Sequence, residues 1–354
     1  MKYMQPRPSS IVAALYTARD LEVDVAILHG PSGCSFKHAR LLEEDGLRVL
    51  TTSLADNEFI FGGHDPLVTA LQYAEREFSP GRMAVVGTCV SMIIGEDLLS
   101  AVDDSGITTP TIVVDIHAGY PENIDGVIAT LVPAAEAGWI STVELDRQKY
   151  VLAKANEVER LRGAASQSYI EPSRGDLKHT VAVDLLGRIK KGEQGVAVMN
   201  AKKETAYMFA DELIALHEIC PDADINYIAN LEERGLPKVR RDAGIIRNAF
   251  SEASVPLETI GALDEYGANG EGLGKRIREI DPDFALLAGV PHAIPPEYTE
   301  GICCYSITNG PRQVAPLKEI GHQFVVVEID LHPKTLGVRH VVESEFGAVL
   351  RSLA

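Results

Sequence analysis

Basic side chains are scarce in this sequence compared with acidic ones. The 354 residues include 33 lysines and arginines but 51 aspartates and glutamates, which gives a formal net charge of −18. Phosphates and anionic lipids attract positive charge, so we expect neither nucleic acid nor a membrane surface as a partner. The acidic excess either keeps the protein in solution or docks a partner protein, and composition leaves both interpretations open.

Long apolar runs are missing as well. None approaches the roughly 18 residues that span a bilayer. The first segment also lacks the pattern of a signal peptide, because Arg19 and Asp20 closely follow the apolar residues 11–15 and no small-residue cleavage site comes after them. We therefore expect a cytoplasmic protein.

Cysteine is the third scarce residue type. Five cysteines in a chain of 354 residues do not suggest a disulfide framework, so each is core filler, a reactive thiol or a metal ligand. Cys220 ends a predicted helix, and Cys303 and Cys304 lie inside a predicted apolar strand. We interpret these three as structural, since buried thiols behave as small hydrophobic groups.

Short apolar segments alternate with amphipathic ones along the chain. The apolar segments include residues 23–28, Met83–Val86 and Gly195–Asn200, and Asp65–Phe78, between the first two, has strong helical periodicity. This alternation is typical of parallel sheets that helices cover on both faces. It predicts an α/β protein of two to three doubly wound, Rossmann-like units.

The polar segment 165–176 contains a proline and a glycine and is the best candidate for a linker. We therefore place a first α/β domain at residues 1–164, which would hold the metal ligands discussed next. A second α/β domain is expected at residues 165–262 and a third at residues 263–354.

Cys34 and Cys89 occupy equivalent positions. Each follows a predicted strand and a glycine-containing turn, GPSGC at 30–34 and GTC at 87–89, and each precedes a predicted helix. Ligands of open α/β sheets bind at this edge, and helix N-termini favour thiolates. Two thiolates are half of the usual 4Fe-4S ligand set, and a two-fold axis would supply the other half. Two unrelated buried cysteines are the alternative.

Four segments in order resemble nitrogenase component 1 and its relatives. They are GPSGC at 30–34, LADNEFIFGG at 54–63, TCVSMIIGED at 88–97 and HAGY at 117–120. Within that family the chain resembles the short homodimeric branch, the components of Ni-sirohydrochlorin a,c-diamide reductive cyclase complexes. This branch serves the biosynthesis of coenzyme F-430, the nickel tetrapyrrole of methanogenesis.

The resemblance implies a nitrogenase component 1-like fold and an oxidoreductase. Its activity would be the reduction and cyclisation of a nickel tetrapyrrole, with electrons from a separate nitrogenase iron-protein-like ATPase. It implies a homodimer whose shared 4Fe-4S cluster is ligated by Cys34 and Cys89 of each subunit. No cysteine precedes Cys34, where the larger nitrogenase subunit has a further cluster ligand, so an eight-iron cluster is not expected.

Three other interpretations stay open. The chain could reduce another tetrapyrrole or a different small substrate with the same cluster. It could be a non-catalytic scaffold on which a metallocofactor is assembled. It could also be a plain α/β ligand-binding protein without iron, in which Cys34 and Cys89 are ordinary core residues.

Three residues near the family segments are candidates for proton transfer. His117 and His64 could donate protons or face the cleft, although hydrogen-bonded structural roles are the alternative for both. Glu58 lies in the second segment, and we expect it to anchor the loop beside the cluster more than to move protons.

Four residues are candidates for binding the carboxylates of a tetrapyrrole. His292 and Arg312 follow predicted strands, and Lys275 and Arg276 lie in a predicted helix behind a glycine-rich segment at 267–274. That segment departs from the phosphate-loop pattern, so we assign ATP hydrolysis to the partner. A flexible loop with solvated cations is the alternative.

Overall fold

The computed structural model describes residues 8–164, 169–328 and 335–354. The chain forms two compact units. The N-terminal unit comprises the described residues up to Lys149 together with Leu236–Lys238, and the C-terminal unit comprises the other described residues from Tyr150 onward.

The N-terminal unit is built on a parallel sheet of four strands in the order β2-β1-β3-β4. The strands are short apolar segments with helices between them, as crossover connections require. They are β1 (Val25–Leu28), β2 (Arg48–Thr51), β3 (Met83–Val86) and β4 (Thr111–Val114). Its helices are α1 (Ser10–Asp20), α2 (Phe36–Glu44), α3 (Asp56–Phe61), α4 (His64–Phe78), α5 (Cys89–Ile94), α6 (Leu98–Ser105) and α7 (Ile124–Glu136), and α8 (Thr142–Leu161) begins in it.

The single helix predicted after the turn that contains Cys89 is two helices in the structure. Gly95 has φ +74°, a left-handed conformation that ends α5. The Asp97 carboxylate then accepts a hydrogen bond from the backbone N–H of Ser100 and caps α6. The element that carries Cys89 is therefore only six residues long.

The C-terminal unit contains a parallel sheet of six strands in the order β10-β9-β8-β5-β6-β7. Every residue of the central strands β5 and β8 is buried. The strands are β5 (Gly195–Asn200), β6 (Ile225–Ala229), β7 (Leu257–Thr259), β8 (Phe284–Gly289), β9 (Cys303–Thr308) and β10 (Phe324–Val327). The helices are α9 (Lys178–Lys190), α10 (Ala206–Ile219), α11 (Pro237–Glu252), α12 (Gly270–Ile280), α13 (Val314–Glu319) and α14 (Glu345–Ser352).

These sheets confirm the predicted fold class of doubly wound parallel units. The predicted division at residues 262 and 263 differs from the structure, because β8 pairs with β5 along six residues and strands from both sides of that boundary share one sheet. The reason is topological. In a doubly wound sheet the chain adds strands first on one side of the central strand and then on the other, so strands distant in sequence become neighbours.

The predicted linker at 165–176 is only partly visible, since residues 165–168 lie outside the described residues. Its last residues attach to the C-terminal sheet, where Gly175 bridges to Val326 and the Asp176 N–H donates to the Val325 carbonyl across 2.7 Å. Within the described part of the chain, no helix has both the length and the apolar character needed to cross a membrane.

Candidate functional site

The N-terminal sheet reverses its winding between β1 and β3. From β1 the chain moves outward to β2, then returns to the other side of β1 to form β3 and β4. The crevice beyond the carboxyl ends of two such strands is where open α/β sheets bind ligands. Leu28 and Val86, the last residues of β1 and β3, are paired, and Cys34 and Cys89 follow them. The structure thus places both cysteines at the switch point of this sheet.

Local hydrogen bonds fix each cysteine. The Cys34 N–H donates to the Pro31 carbonyl across 3.0 Å in the turn before α2. Cys89 is the first residue of α5, which Thr88 caps. The Thr88 hydroxyl accepts from the Val90 N–H at 3.3 Å and donates to the His29 carbonyl at 2.9 Å. This second bond connects the start of α5, which follows β3, to the residue that follows β1.

Both thiols are free and partly exposed. Burial raises the pKa of Cys34, and the charge of the nearby Cys89 raises it further. The sequence predicted that helix N-termini would favour thiolates, whereas the pKa of Cys34 is raised. A bound metal ion reverses this preference, because coordinating thiols are deprotonated. Among the described residues, no group of three or more His, Cys, Asp or Glu side chains could hold a metal ion.

The loop after β4 lies against Cys89. The Ala118 N–H donates to the Cys89 sulfur across 3.2 Å. The neighbouring His117 ring stacks on Tyr120 with 4.4 Å between centroids, and its Nδ1 accepts from the Gly119 N–H at 3.0 Å. Since Nδ1 accepts, a neutral His117 carries its proton on Nε2. His117 is therefore next to the cysteine loop, and its role as a proton donor stays a prediction.

His64 and Glu58 have polar partners of their own. His64 opens α4 with its Nε2 3.2 Å from a carboxylate oxygen of Asp104. The Glu58 carboxylate accepts from the Ala55 N–H across 2.8 Å and so closes the first turn of α3. This contact holds the start of α3, and both the anchoring of the loop beside the cluster by Glu58 and proton transfer by either residue stay predictions.

Sequence reasoning did not select His29, the residue directly after β1. It is fully buried, and its Nε2 lies 3.9 Å from a carboxylate oxygen of Glu96. Burial lowers the pKa of His29, Glu96 partly opposes this, and His64 adds to it. Neither ring nitrogen has a hydrogen-bond partner within the described residues. The available signal was a polar residue that closes an apolar strand directly before GPSGC.

The predicted substrate-binding residues fall in the C-terminal unit and have different surroundings. His292 is buried in a 3-10 turn after β8. Arg312 donates to the Ile170 carbonyl across 3.1 Å. Lys275 pairs with Glu271 at 2.8 Å, and Arg276 pairs with Glu258 at 3.0 Å and with Glu279 at 3.2 Å. Each of these two cations is already neutralised by a neighbouring carboxylate, and substrate contacts by all four residues stay predictions.

Large apolar side chains are exposed on the three helices that flank the cysteines. Phe61 on α3 is 85% exposed and Ile93 on α5 is 74% exposed, although both types of side chain are usually buried. Helices α3 and α5 touch each other. We call this set the apolar patch, and its members are Phe36, Phe59, Ile60, Phe61, Met92 and Ile93.

The fold of the N-terminal unit agrees with a comparison to protein families. The profile of the nitrogenase component 1 type oxidoreductases matches residues 9–137, the stretch that contains the whole N-terminal sheet. The class of the protein is thus a nitrogenase-like oxidoreductase.

Full-length relatives narrow this class. The chain is 54% identical to component CfbD of the Ni-sirohydrochlorin a,c-diamide reductive cyclase complex of Methanosarcina acetivorans, over 99% of this chain and 97% of the relative. It is 47% identical to the same component of Methanothermobacter thermautotrophicus, over 98% of each chain. The component of Methanocaldococcus jannaschii is 44% identical, over 98% of this chain and 97% of its own. The chain belongs to the family of CfbD components of this reductive cyclase complex, as its sequence motifs predicted.

Proposed function

We propose that the protein reduces and cyclises Ni-sirohydrochlorin a,c-diamide, the compound in the names of its relatives, as one component of a reductive cyclase complex. In this proposal a homodimer holds one 4Fe-4S cluster through Cys34 and Cys89 of each copy. The observation that carries it is the pair of free thiols at the switch point of the N-terminal sheet, next to the apolar patch.

The residues present fit half of such a site. Two partly exposed thiols lie close enough for the charge of one to raise the pKa of the other. A 4Fe-4S cluster usually takes four cysteine ligands and supplies one-electron transfer when bound. Cys34 and Cys89 would ligate it. The Ala118 N–H would remain directed at the Cys89 sulfur, and hydrogen bonds of this kind adjust the reduction potential.

A second copy of the chain is the partner that the site needs. An isologous interface duplicates each ligand, so two thiols become four. The apolar patch supports this arrangement, because exposed clusters of large apolar side chains are typical of interaction sites. Burying Phe61 and Ile93 against their symmetry mates would also remove water from the neighbourhood of the thiols.

The electron donor is assigned to another protein. The glycine-rich segment before α12 departs from the phosphate-loop pattern, and its Lys275 and Arg276 already pair with carboxylates. We therefore assign ATP hydrolysis and electron delivery to a nitrogenase iron-protein-like ATPase. The reduction also needs protons. The candidate donor is His117, which lies in the loop after β4, next to the Ala118 N–H that contacts the Cys89 sulfur.

The first test is the iron content of the protein. The chain would be purified without oxygen, and iron and acid-labile sulfide would be measured per dimer with the paramagnetic resonance spectrum of the reduced state. About four irons per dimer are expected. Cys34→Ala and Cys89→Ala should each lose the iron, whereas Cys220→Ala, a change at a partly exposed cysteine outside the site, should keep it. An iron-free protein after anaerobic reconstitution would favour the plain ligand-binding interpretation.

Turnover separates the remaining alternatives. The protein would be combined with the ATPase, ATP and nickel sirohydrochlorin a,c-diamide, and the products would be identified. Faster conversion of the metal-free diamide or another tetrapyrrole would point to a different substrate. A cluster that is transferred to an acceptor protein without any turnover would favour the scaffold interpretation.

A further inference from the structure

The C-terminal sheet has a switch point of its own. Its chain runs outward from β5 to β6 and β7, then returns to the other side of β5 to form β8, β9 and β10. The crevice beyond the carboxyl ends of β5 and β8 is thus the counterpart of the position that Cys34 and Cys89 occupy in the N-terminal sheet. Lys202 follows β5 and His292 follows β8.

A carboxylate from α8 connects these two residues. One oxygen of Glu159 lies 2.8 Å from the Lys202 ammonium, and the other lies 3.7 Å from Nε2 of His292. The ammonium also lies 4.7 Å from the centroid of the Tyr266 ring, a distance typical of a cation–π contact. We call Lys202, Glu159, His292 and Tyr266 the switch-point cluster.

The charges of Lys202 and Glu159 are stable near neutral pH. Burial alone would lower the pKa of Lys202, but the neighbouring Tyr266 and Glu159 outweigh it and raise the pKa. Burial would raise the pKa of Glu159, but Lys202 and His292 outweigh it and lower the pKa well below its usual range. Burial raises the pKa of Tyr266, so its phenol stays neutral. The cluster therefore keeps an ammonium–carboxylate pair, Lys202 with Glu159, beside a neutral phenol hydroxyl.

Two polar atoms here are left without partners in the described part of the chain. Nδ1 of His292 and the side-chain oxygen of Asn200, the last residue of β5, have no hydrogen-bond partner among the described residues, whereas Nε2 of His292 faces Glu159. The two residues are 3% and 1% exposed. A buried polar group without a hydrogen bond destabilises the folded state. No hydrogen bond within the described residues offsets this loss of stability, which points to a ligand.

The ammonium of Lys202 is the group that such a ligand can reach. The Lys202 side chain is 36% exposed, whereas that of Glu159 is 16% exposed. An ammonium has three N–H donors, of which one bonds to Glu159 and a second has the Tyr266 hydroxyl as its partner, so one is left for a ligand. Helix α10 begins four residues later, and in the described residues the Thr205 hydroxyl makes no cap hydrogen bond to it. Both features favour an anion.

We propose that the switch-point cluster binds a carboxylate of the tetrapyrrole substrate, with the Lys202 ammonium in direct contact and Glu159 as the positioning residue that holds Lys202 in place. This inference rests on the proposed function, because it takes its ligand from there. Nickel sirohydrochlorin a,c-diamide has several carboxylates that remain ionised at neutral pH. A single fixed ammonium would orient one edge of the macrocycle.

The test is a binding titration on the anaerobic, cluster-loaded protein. Nickel sirohydrochlorin a,c-diamide would be titrated into the wild type, Lys202→Gln and Lys202→Arg, and its fully methyl-esterified form would be titrated in parallel. Loss of one charge-assisted contact predicts roughly tenfold to hundredfold weaker binding of the diamide to Lys202→Gln. Lys202→Arg should recover part of the affinity. The ester should bind wild type and Lys202→Gln equally.

A matched control separates this contact from a general effect of charge. Lys318 has 38% side-chain exposure and pairs with Asp176 at 2.6 Å. It lies on α13, which leads into the edge strand β10, whereas the switch point lies between the central strands β5 and β8. Lys318→Ala should leave the affinity for the diamide unchanged. Glu159→Gln should weaken diamide binding less than Lys202→Gln and leave ester binding unaltered.

The outcomes also separate this inference from the proposed function. Wild-type affinity in Lys202→Gln, with normal iron content and turnover, would overturn the inference and leave the proposed function standing. A wild-type protein that carries the cluster but binds no tetrapyrrole would overturn both. Equal losses in Lys202→Gln for the diamide and its ester would show that the residue supports the fold and does not contact a carboxylate.

Discussion

The Ser306 hydroxyl and Nδ1 of His322 form a hydrogen bond inside the C-terminal unit, where neither residue is more than 2% exposed. Burial lowers the pKa of His322 from 6.5 to about 4, and the nearby His292 adds to this effect. The unfolded chain therefore takes up a proton near pH 6.5, while the folded chain does so only near pH 4. The stabilising effect of neutral His322 is complete above about pH 6.5, and it is lost as the pH falls from 6.5 to about 4.

This relationship predicts a pH dependence that one substitution removes. Between pH 7 and pH 4, titration of His322 should lower the free energy of unfolding by about 3 kcal/mol. His322→Gln cannot titrate and keeps a polar partner for Ser306. The difference in unfolding free energy between wild type and variant, from urea denaturation across this range, should change by that amount. A constant difference would contradict the assigned burial of His322.

A second prediction concerns Glu212 on α10. It is fully buried, and neither carboxylate oxygen has a hydrogen-bond partner within the described residues. Burial raises its pKa well above the usual value, and the charges of Glu328 and Asp211 raise it further. An acid with a raised pKa loses stabilising effect as the pH rises past the pKa of the unfolded chain.

Glu212→Gln should therefore stabilise the protein, and more so at pH 8 than at pH 5, because the amide keeps the shape and removes the ionisation. Thermal unfolding at the two pH values measures this. The control is Glu218→Gln on the same helix. Glu218 is 44% exposed in an ion pair with Arg351 at 2.7 Å, and this change should alter stability by less than about 1 kcal/mol.

Two helical glycines should respond to alanine with opposite signs. At Gly126 in α7, an added methyl group would overlap the carbonyl oxygen of Ser10 in α1. At Gly187 in α9, nothing lies within 4 Å of the added carbon. Gly187→Ala should stabilise by about 0.5–1 kcal/mol through helix propensity alone. Gly126→Ala should destabilise despite the same propensity gain. Urea unfolding of both variants tests this, and stabilisation by Gly126→Ala would refute the close packing of α1 and α7.

Substitutions in the apolar patch should affect dimer formation and iron retention together. Phe61→Asp and Ile93→Asp change side chains that are 85% and 74% exposed, so each subunit should still fold. If the cluster needs two copies, both variants should sediment as monomers and lose iron together. Val143→Asp, at a residue that is 77% exposed on α8, should remain dimeric and keep its iron. Iron-loaded monomers would rule out the shared cluster.

The sequence predicted those parts of the fold that depend on local pattern. Strands β3 and β5 have the predicted bounds, because each is an apolar run between polar or glycine-containing turns. Strand β7 is three residues long and was not predicted, since Leu257–Thr259 shows neither alternation nor an apolar run. A segment that short depends on its neighbour β6 for hydrogen bonds.

The candidate sites also contain some residues that local pattern predicts and others that only the tertiary structure shows. Cys34 and Cys89 were predicted from their turns, whereas Glu159 was not. Glu159 is one of several charged residues in the long helix α8, and nothing in the local pattern distinguishes it from Glu157. Only the tertiary structure shows that Glu159 meets Lys202, while Glu157 pairs with Lys154 on the same helix.

Cys34 and Cys89 become neighbours because β1 and β3 pair, although β2 and three helices separate them in sequence. An unfolded chain therefore offers no preformed chelating pair, in contrast to small zinc modules whose ligands are close in sequence. If Cys34 and Cys89 hold the proposed cluster, the polypeptide would fold first and the inorganic sulfide and iron would be inserted afterwards. Chelators should strip the metal and leave the fold intact, so the apoprotein can serve as an isolable precursor that is ready for cluster delivery.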